Sequence, residues 1–440
     1  MLSVDAGHLY RRSHALPDEE RLESEAKAGL IAEALSLGGI DAMLPGRGED
    51  AFGRAFLEGL ATKYSLPYVV SNAECSSPLP WPVKREFERG GAKIEVYGVW
   101  SSNAQLAGCR PTDPIAALRG AAVGDTVVIV LSDQSEVEDE ALVREVPAID
   151  LIVRSDSNKA LGTPDVLPNG GLLFSSGGKG KTVGVTSITL TPGAAIWRDA
   201  GAVREKATNK DNAAERVAEL KRRVGEATDE KDKARLEKQL AFWNARFAKA
   251  EKEVEVASTA GGPANTVLNE LRGLGPDIGE HEATNSLVAK FKEAQTGLPP
   301  LPALPAGTLN PSEPPPASPF VGNSACATCH PAQTAQWQTT AHAAAWASLV
   351  AASRPFDNDC WRCHVTGAFT AGGPTDPRVL GGLENVGCEA CHGPGRAHTA
   401  GPDAGRLVKN PPVSQCTQCH DKEQEDGRFD EAIYRPKVVH

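Results

Sequence analysis

Four copies of one pentapeptide pattern constrain this chain more than any other feature: CATCH at 326–330, CWRCH at 360–364, CEACH at 388–392 and CTQCH at 416–420. Eight of the ten cysteines lie in them. In CxxCH the two thiols sit about one turn apart and can form thioethers to the two vinyl groups of one haem, and the adjoining histidine reaches the iron as an axial ligand. Paired CxxC motifs also build structural zinc sites. Neither zinc nor a disulfide framework gives a reason for a histidine after every second cysteine. The pattern therefore predicts four c-type haems, attached through Cys326 and Cys329, Cys360 and Cys363, Cys388 and Cys391, and Cys416 and Cys419, with His330, His364, His392 and His420 as proximal ligands. Covalent attachment changes the folding problem as well. A domain can be stapled around cofactors instead of around an apolar core.

Each iron has a second axial position. The only methionines are Met1 and Met43, so methionine ligation within the C-terminal segment is excluded. Histidine is the remaining strong donor. Beyond the four proximal ligands the segment holds His342, His398 and His440, three distal candidates for four irons; His281 is a weaker candidate from outside it, and His8 and His14 lie further away in the chain. The expectation is three bis-histidine haems and one that is five-coordinate or takes His281. Ligation without methionine favours low potentials. His398 follows His392 after the short loop GPGRA, which leaves little chain to pass round the edge of the same macrocycle. It is expected to serve a neighbouring haem.

The clearest boundary is the run TGLPPLPALPAGTLNPSEPPPASPF from Thr296, with nine prolines, which suits a stiff extended spacer. Before it, residues 1–200 read as α/β: helical spacing in ESEAKAGLIAEALSLGG alternates with the β-rich runs LPYVVSN, KIEVYGVW, DTVVIVLSD, IDLIVRSD and TVGVTSITLT. Residues 204–256 are rich in Lys, Glu, Arg and Ala, with apolar stripes broken at GEATDE, and predict a helical hairpin. The expected division is an α/β domain at 1–200, the hairpin and a connecting segment at 201–295, a linker at 296–318, and a haem domain at 319–440. A net charge of −11 argues against a nucleic-acid partner. No apolar run approaches the length of a transmembrane span, and the opening MLSVDAGHLY is not a signal peptide.

The segments FVGNSACATCH, HAAAW, CWRCHVTG, VGCEACHGPGRAH, CTQCH and FDEAIYRPKVVH resemble the tetrahaem cytochrome c554 family across residues 319–440. The resemblance implies a mostly helical and loop-built domain with closely stacked haems, three bis-histidine and one open. It also implies a periplasmic or otherwise extracytoplasmic protein, because haem is attached after export. The absent signal then suggests a start placed too late, or a chain given without its leader.

The N-terminal part resembles calcineurin-like metallophosphoesterases of the periplasmic nucleotidase branch. The matching places are VDAGHLY, LPGRGEDAF, VIVLSDQS and VRSDSNKAL. That family carries DAGD, GNHE, a histidine after a strand, and GHxH; this chain has His8, then Arg47 and Gly48, then Asp133, then Asp156 and Asn158. Its first metal-binding motif would precede residue 1. The resemblance implies a degenerate layered α/β fold without dinuclear hydrolysis. Asp133, Asp156, His8 and Glu49 leave a different metal site open, and Cys75 and Cys109 leave a disulfide open.

The leading expectation is an electron-transfer protein serving redox partners, with an inactive α/β module for docking or for a membrane-associated or oligomeric assembly. One alternative is a redox enzyme acting on a small nitrogen or sulfur species at the open iron. The other is a bifunctional phosphoesterase–cytochrome.

Overall fold

The computed structural model describes residues 1–11, 16–155, 160–178, 180–194, 196–259, 262–297, 318–401, 405–425 and 427–440. His14, Asp156, Asn158 and most of the proline-rich spacer lie outside the described residues. The chain divides into two compact units: Met1–Leu16 with Lys27–Thr284, and Pro17–Ala26 with Asn285–His440.

The first unit is a layered α/β domain. It contains β1 (Val4–Asp5), the part of α1 (Asp18–Gly38) from Lys27 on, β2 (Ala42–Met43), which pairs parallel with β1, and α2 (Arg54–Tyr64). Next come β3 (Ala73–Cys75), β4 (Lys84–Arg89), β5 (Ala92–Val99), β6 (Cys109–Pro111), α3 (Pro114–Leu118), β7 (Thr126–Ser132), α4 (Glu136–Glu145), β8 (Leu151–Arg154), β9 (Asp165–Val166) and β10 (Leu172–Phe174). Among the described residues the main sheet has the order β4-β5-β7-β8-β10-β9, parallel from β5 through β10 and antiparallel at its edges.

The run TVVIVLS makes β7 a central strand because it is buried on both faces. Val127, Ile129 and Leu131 join one apolar cluster, with Ala28 and Ala32 of α1 and Leu57 and Leu60 of α2. Val128 and Val130 join the other, with Leu118 of α3 and Leu142 and Val143 of α4. Alternate side chains thus feed opposite helix layers, as the two-residue period of a strand requires. Each such fully buried aliphatic side chain contributes about 1.5–3 kcal/mol.

LPYVVSN forms no regular strand. It is extended and buried, but its amides bond three different segments: Val69 to Met43 O at 2.9 Å, Val70 to Pro82 O at 3.1 Å and Ser71 to Gly98 O at 2.7 Å. Pro67 cannot donate to a ladder at all. High β-propensity here marks a buried connector.

A second sheet, ordered β11-β13-β12, is built from β11 (Thr182–Thr189), β12 (Ile196–Asp199) and β13 (Ala264–Gly273). Between β12 and β13 runs the hairpin of α5 (Ala200–Glu226) and α6 (Glu230–Thr259), packed through Val217, Leu220 and Leu236. Asp199 caps α5 by accepting the Gly201 and Ala202 amides.

α7 (Glu282–Gln295) precedes the spacer. The remainder consists of short helices: α8 (Asn323–Ala327), α9 (Pro331–Trp337), α10 (Ala345–Ala351), α11 (Asn358–Trp361), α12 (Cys388–His392), α13 (Arg396–Ala400), α14 (Val413–Cys416), α15 (Lys422–Glu425) and α16 (Glu431–Tyr434). Its apolar cluster is small: Leu349, Trp361, Val365, Ala368 and Leu380. Gly367 holds a φ of +81°, and a Cβ there would stand 2.5 Å from the Phe320 ring, so only glycine fits. Among the described residues no helix is long and apolar enough to cross a membrane.

Candidate functional site

Each CxxCH motif turns through a short helical segment that folds its histidine back on the start of the motif. The His330 amide donates to Cys326 O at 2.9 Å, the His364 amide to Trp361 O at 2.9 Å, and the His420 amide to Cys416 O at 2.9 Å. In the third motif all five residues are helical. None of the eight motif cysteines is in a disulfide. The thiols of Cys326 and Cys388 hydrogen-bond each other, which pulls Cys388 down to about 7 and pushes Cys326 up. Cys363 and Cys419 do the same, with Cys363 lowered. The first motif therefore adjoins the third, and the second adjoins the fourth.

The imidazoles are oriented from behind. Nδ1 of His364 lies 2.7 Å from Ala345 O, Nδ1 of His392 lies 2.7 Å from Val408 O, and Nδ1 of His398 lies 3.1 Å from Gly405 O. Nδ1 of His420 lies 2.8 Å from Glu425 Oε1. A ring that donates from Nδ1 keeps its Nε2 lone pair for a metal. Nδ1 of His281 lies 3.0 Å from the Thr284 hydroxyl and accepts the Thr284 amide at 3.4 Å.

Two of the three distal candidates stand opposite proximal histidines. The rings of His342 and His420 have centroids 6.1 Å apart, and those of His392 and His440 are 5.7 Å apart. Two imidazoles bound to opposite sides of one metal place their centroids about 6 Å apart, given metal–nitrogen bonds of about 2 Å. Either pair would have both rings within reach of one haem iron. Burial, then the neighbouring His420 and His364, lower the His342 pKa.

The third motif is fastened to the segment before the first. Glu389 is 4% exposed. Its carboxylate accepts the amides of Val321 (3.0 Å), Gly322 (2.7 Å) and Gly395 (2.7 Å). Asn323 Oδ1 accepts the Cys388 amide at 2.8 Å. Sequence reasoning missed Glu389, since it occupies a variable place within CxxCH and nothing in the spacing distinguishes it.

In the first unit, Glu49 and Asp133 are engaged within the protein. Glu49 accepts the amides of His8 (2.9 Å), Leu9 (2.6 Å) and Tyr10 (2.9 Å). Asp133, with a fully buried side chain, accepts from Arg47 Nε at 3.2 Å and from Ser155 Oγ at 3.1 Å. Among the described residues no group of three or more His, Cys, Asp or Glu has the geometry to hold a metal ion. Cys75 and Cys109 face each other across β3 and β6 and form a disulfide. A cleft of ≈ 580 Å³ opens beside Trp100, Arg110, Gln134 and Glu138.

These features describe an α/β domain of layered type and a segment of short helices that carries four CxxCH motifs. Residues 325–393 match the family described as cytochrome c554 and c-prime, whose cofactor is c-type haem. Cytochrome c-554 of Nitrosomonas europaea is 40% identical over 94 residues, which cover 18% of this chain and 40% of that protein. The chain thus spans about two fifths of the length of this curated relative. Solved structures similar to this chain include the Thermus thermophilus sulfate thiohydrolase SoxB (20% identity, TM-score 0.37, covering 44% of this chain and 36% of that one). Others are a 5′-nucleotidase precursor from Thermus thermophilus (19%, TM-score 0.34, 43% and 42%) and the calcineurin-like phosphoesterase YfkN from Bacillus subtilis (16%, TM-score 0.32, 44% and 72%).

Proposed function

We propose that this chain is an extracytoplasmic multihaem cytochrome that carries electrons between redox partner proteins through four covalently attached haems. Residues 319–440 hold the haems, residues 296–318 link them to the rest, and residues 1–200 with the hairpin segment 201–295 serve docking or assembly. The carrying observation is the set of motif histidines whose Nδ1 is tied to an acceptor, which frees Nε2 for iron. Haem supplies one-electron redox chemistry. The chain supplies attachment through Cys326, Cys329, Cys360, Cys363, Cys388, Cys391, Cys416 and Cys419, and ligation through His330, His364, His392 and His420.

In this reading His342 completes the iron of His420, and His440 completes that of His392. His398 serves the iron of the first or second motif, and the last iron stays open. The Cys75–Cys109 disulfide supports an oxidising compartment. The module's loss of hydrolysis is supported by Arg47 and Gly48 at the metal-binding places and by the engagement of Glu49 and Asp133. The test is the haem stoichiometry of the purified protein by mass and pyridine haemochrome, together with its electron-paramagnetic-resonance spectrum. Fewer than four haems per chain overturns the proposal, as does metal-dependent hydrolysis of a phosphate ester.

A second reading, a redox enzyme acting on a small nitrogen or sulfur species, is favoured by one observation: residues 319–440 hold seven histidines for four irons. A high-spin signal that shifts with hydroxylamine or nitric oxide supports it. A purely low-spin spectrum rules it out.

A further inference from the structure

The partners of the imidazoles are not equivalent. His392 and His398 point Nδ1 at a backbone carbonyl, and His364 at a carbonyl with the neutral Ser348 hydroxyl 3.3 Å away, whereas His420 points it at the carboxylate of Glu425, 2.8 Å from Oε1. The other oxygen, Oε2, accepts from the Tyr434 hydroxyl at 3.2 Å. The ring itself is clamped, stacked on Phe429 at 5.1 Å and edge-on to Tyr434 at 5.5 Å. Glu425 and His420 each retain only about a quarter of their side-chain exposure (23% and 25%), so bulk water screens the pair incompletely.

From this asymmetry, and resting on the haem reading above, we infer that Glu425 is a tuning residue that holds the iron of His420 at the low-potential end of the set. A carboxylate on the far nitrogen makes the imidazole a stronger electron donor than a carbonyl does, and it adds a fixed negative charge near the iron. Both effects stabilise the oxidised metal. Arg428 also acts on Glu425 and offsets part of this charge without replacing the hydrogen bond. The consequence is directional. The haem on Cys416 and Cys419 is the last to accept an electron and the first to release one.

The experiment is a spectroelectrochemical titration of the fully loaded protein, as wild type and as Glu425→Gln, Glu425→Asp and Tyr434→Phe. Glu425→Gln keeps an oxygen acceptor and removes the charge. One haem component should move to higher potential, with the others unmoved and the haem count unchanged. Glu425→Asp restores the charge and should return that component toward its wild-type position, and Tyr434→Phe should leave it there. A Glu425→Gln protein carrying every haem and titrating like wild type overturns the inference, as does an equal shift of all components. Wild-type protein without haem at Cys416 and Cys419 would instead overturn the electron-transfer reading beneath it.

Discussion

Arg47 Nε lies 3.2 Å from Asp133 Oδ1, and the aspartate side chain is wholly buried. The Arg47 guanidinium thus supplies the positive charge beside this buried carboxylate. Arg47→Ala leaves Asp133 buried without that partner and should destabilise the α/β unit by about 1–3 kcal/mol. Denaturant unfolding of the full chain measures this. Arg47→Ala combined with Asp133→Ala should recover part of the loss. A double variant no more stable than the sum of the two singles would mean that the two residues are not coupled.

The same unit should weaken as pH rises. Burial pushes Asp5 up to about 6 and Glu49 up to about 7, against amide donors that pull the other way. Both groups therefore bind protons more tightly folded than unfolded. Their contribution to stability is present below about pH 4 and is lost as pH rises through about 7. Thermal unfolding between pH 5 and pH 8 should show this slope, flattened in Asp5→Asn, Glu49→Gln protein. An identical slope in the variant would refute the assignment.

Reduction of Cys75–Cys109 offers a cleaner probe, because thioethers survive reductants that open disulfides. The bridge joins residues separated by 34 positions, and losing a crosslink of that span costs about 3–4 kcal/mol. Cys75→Ser, Cys109→Ser protein should melt at the temperature of reduced wild type, with its haem content intact. A melting temperature indifferent to reductant would contradict the pairing.

Removing His398 tests the wiring. His392 faces His440 at 5.7 Å between ring centroids, so His398→Ala should leave all haems attached and convert a different iron to high spin. His440→Ala should expose the iron of His392. If both variants give the same new resonance-Raman signal, the assignment of two separate irons is wrong.

Glu389 should matter beyond its size. Its carboxylate ties Val321 and Gly322, ahead of the first motif, to Gly395, behind the third. Glu389→Ala strands three amides and should cost about 1–3 kcal/mol or more. Hydrogen exchange at Val321, Gly322 and Gly395 should accelerate together. Exchange unchanged at all three would show that the carboxylate holds nothing.

How much of this was legible beforehand depends on whether the signal was local. The strands β5, β7 and β8 were readable because strands buried on both faces need unbroken apolar runs, and the α5–α6 hairpin because its stripe repeats at helical spacing. Leu66–Asn72 looked equally strand-like and was not, since its amides are divided among separate segments. The haem motifs were readable because attachment chemistry fixes their spacing. Glu389 and Glu425 were not, because their partners, Gly322 and His420, are set by how loops return on one another. The Arg47–Asp133 pair lay between: the residues that had changed could be seen, but not that two of them had found each other.

The cluster of Leu349, Trp361, Val365, Ala368 and Leu380 is a small apolar nucleus for a segment of this length. If the four motifs carry haem as proposed, maturation rather than collapse completes this part of the molecule. A polypeptide made faster than haem is delivered would remain open to proteases, while the α/β half, with its own two-sided core, would already be finished. Accumulation of full-length protein in a cell would then report on haem supply, and starving the cell of iron should leave the α/β half behind as a fragment.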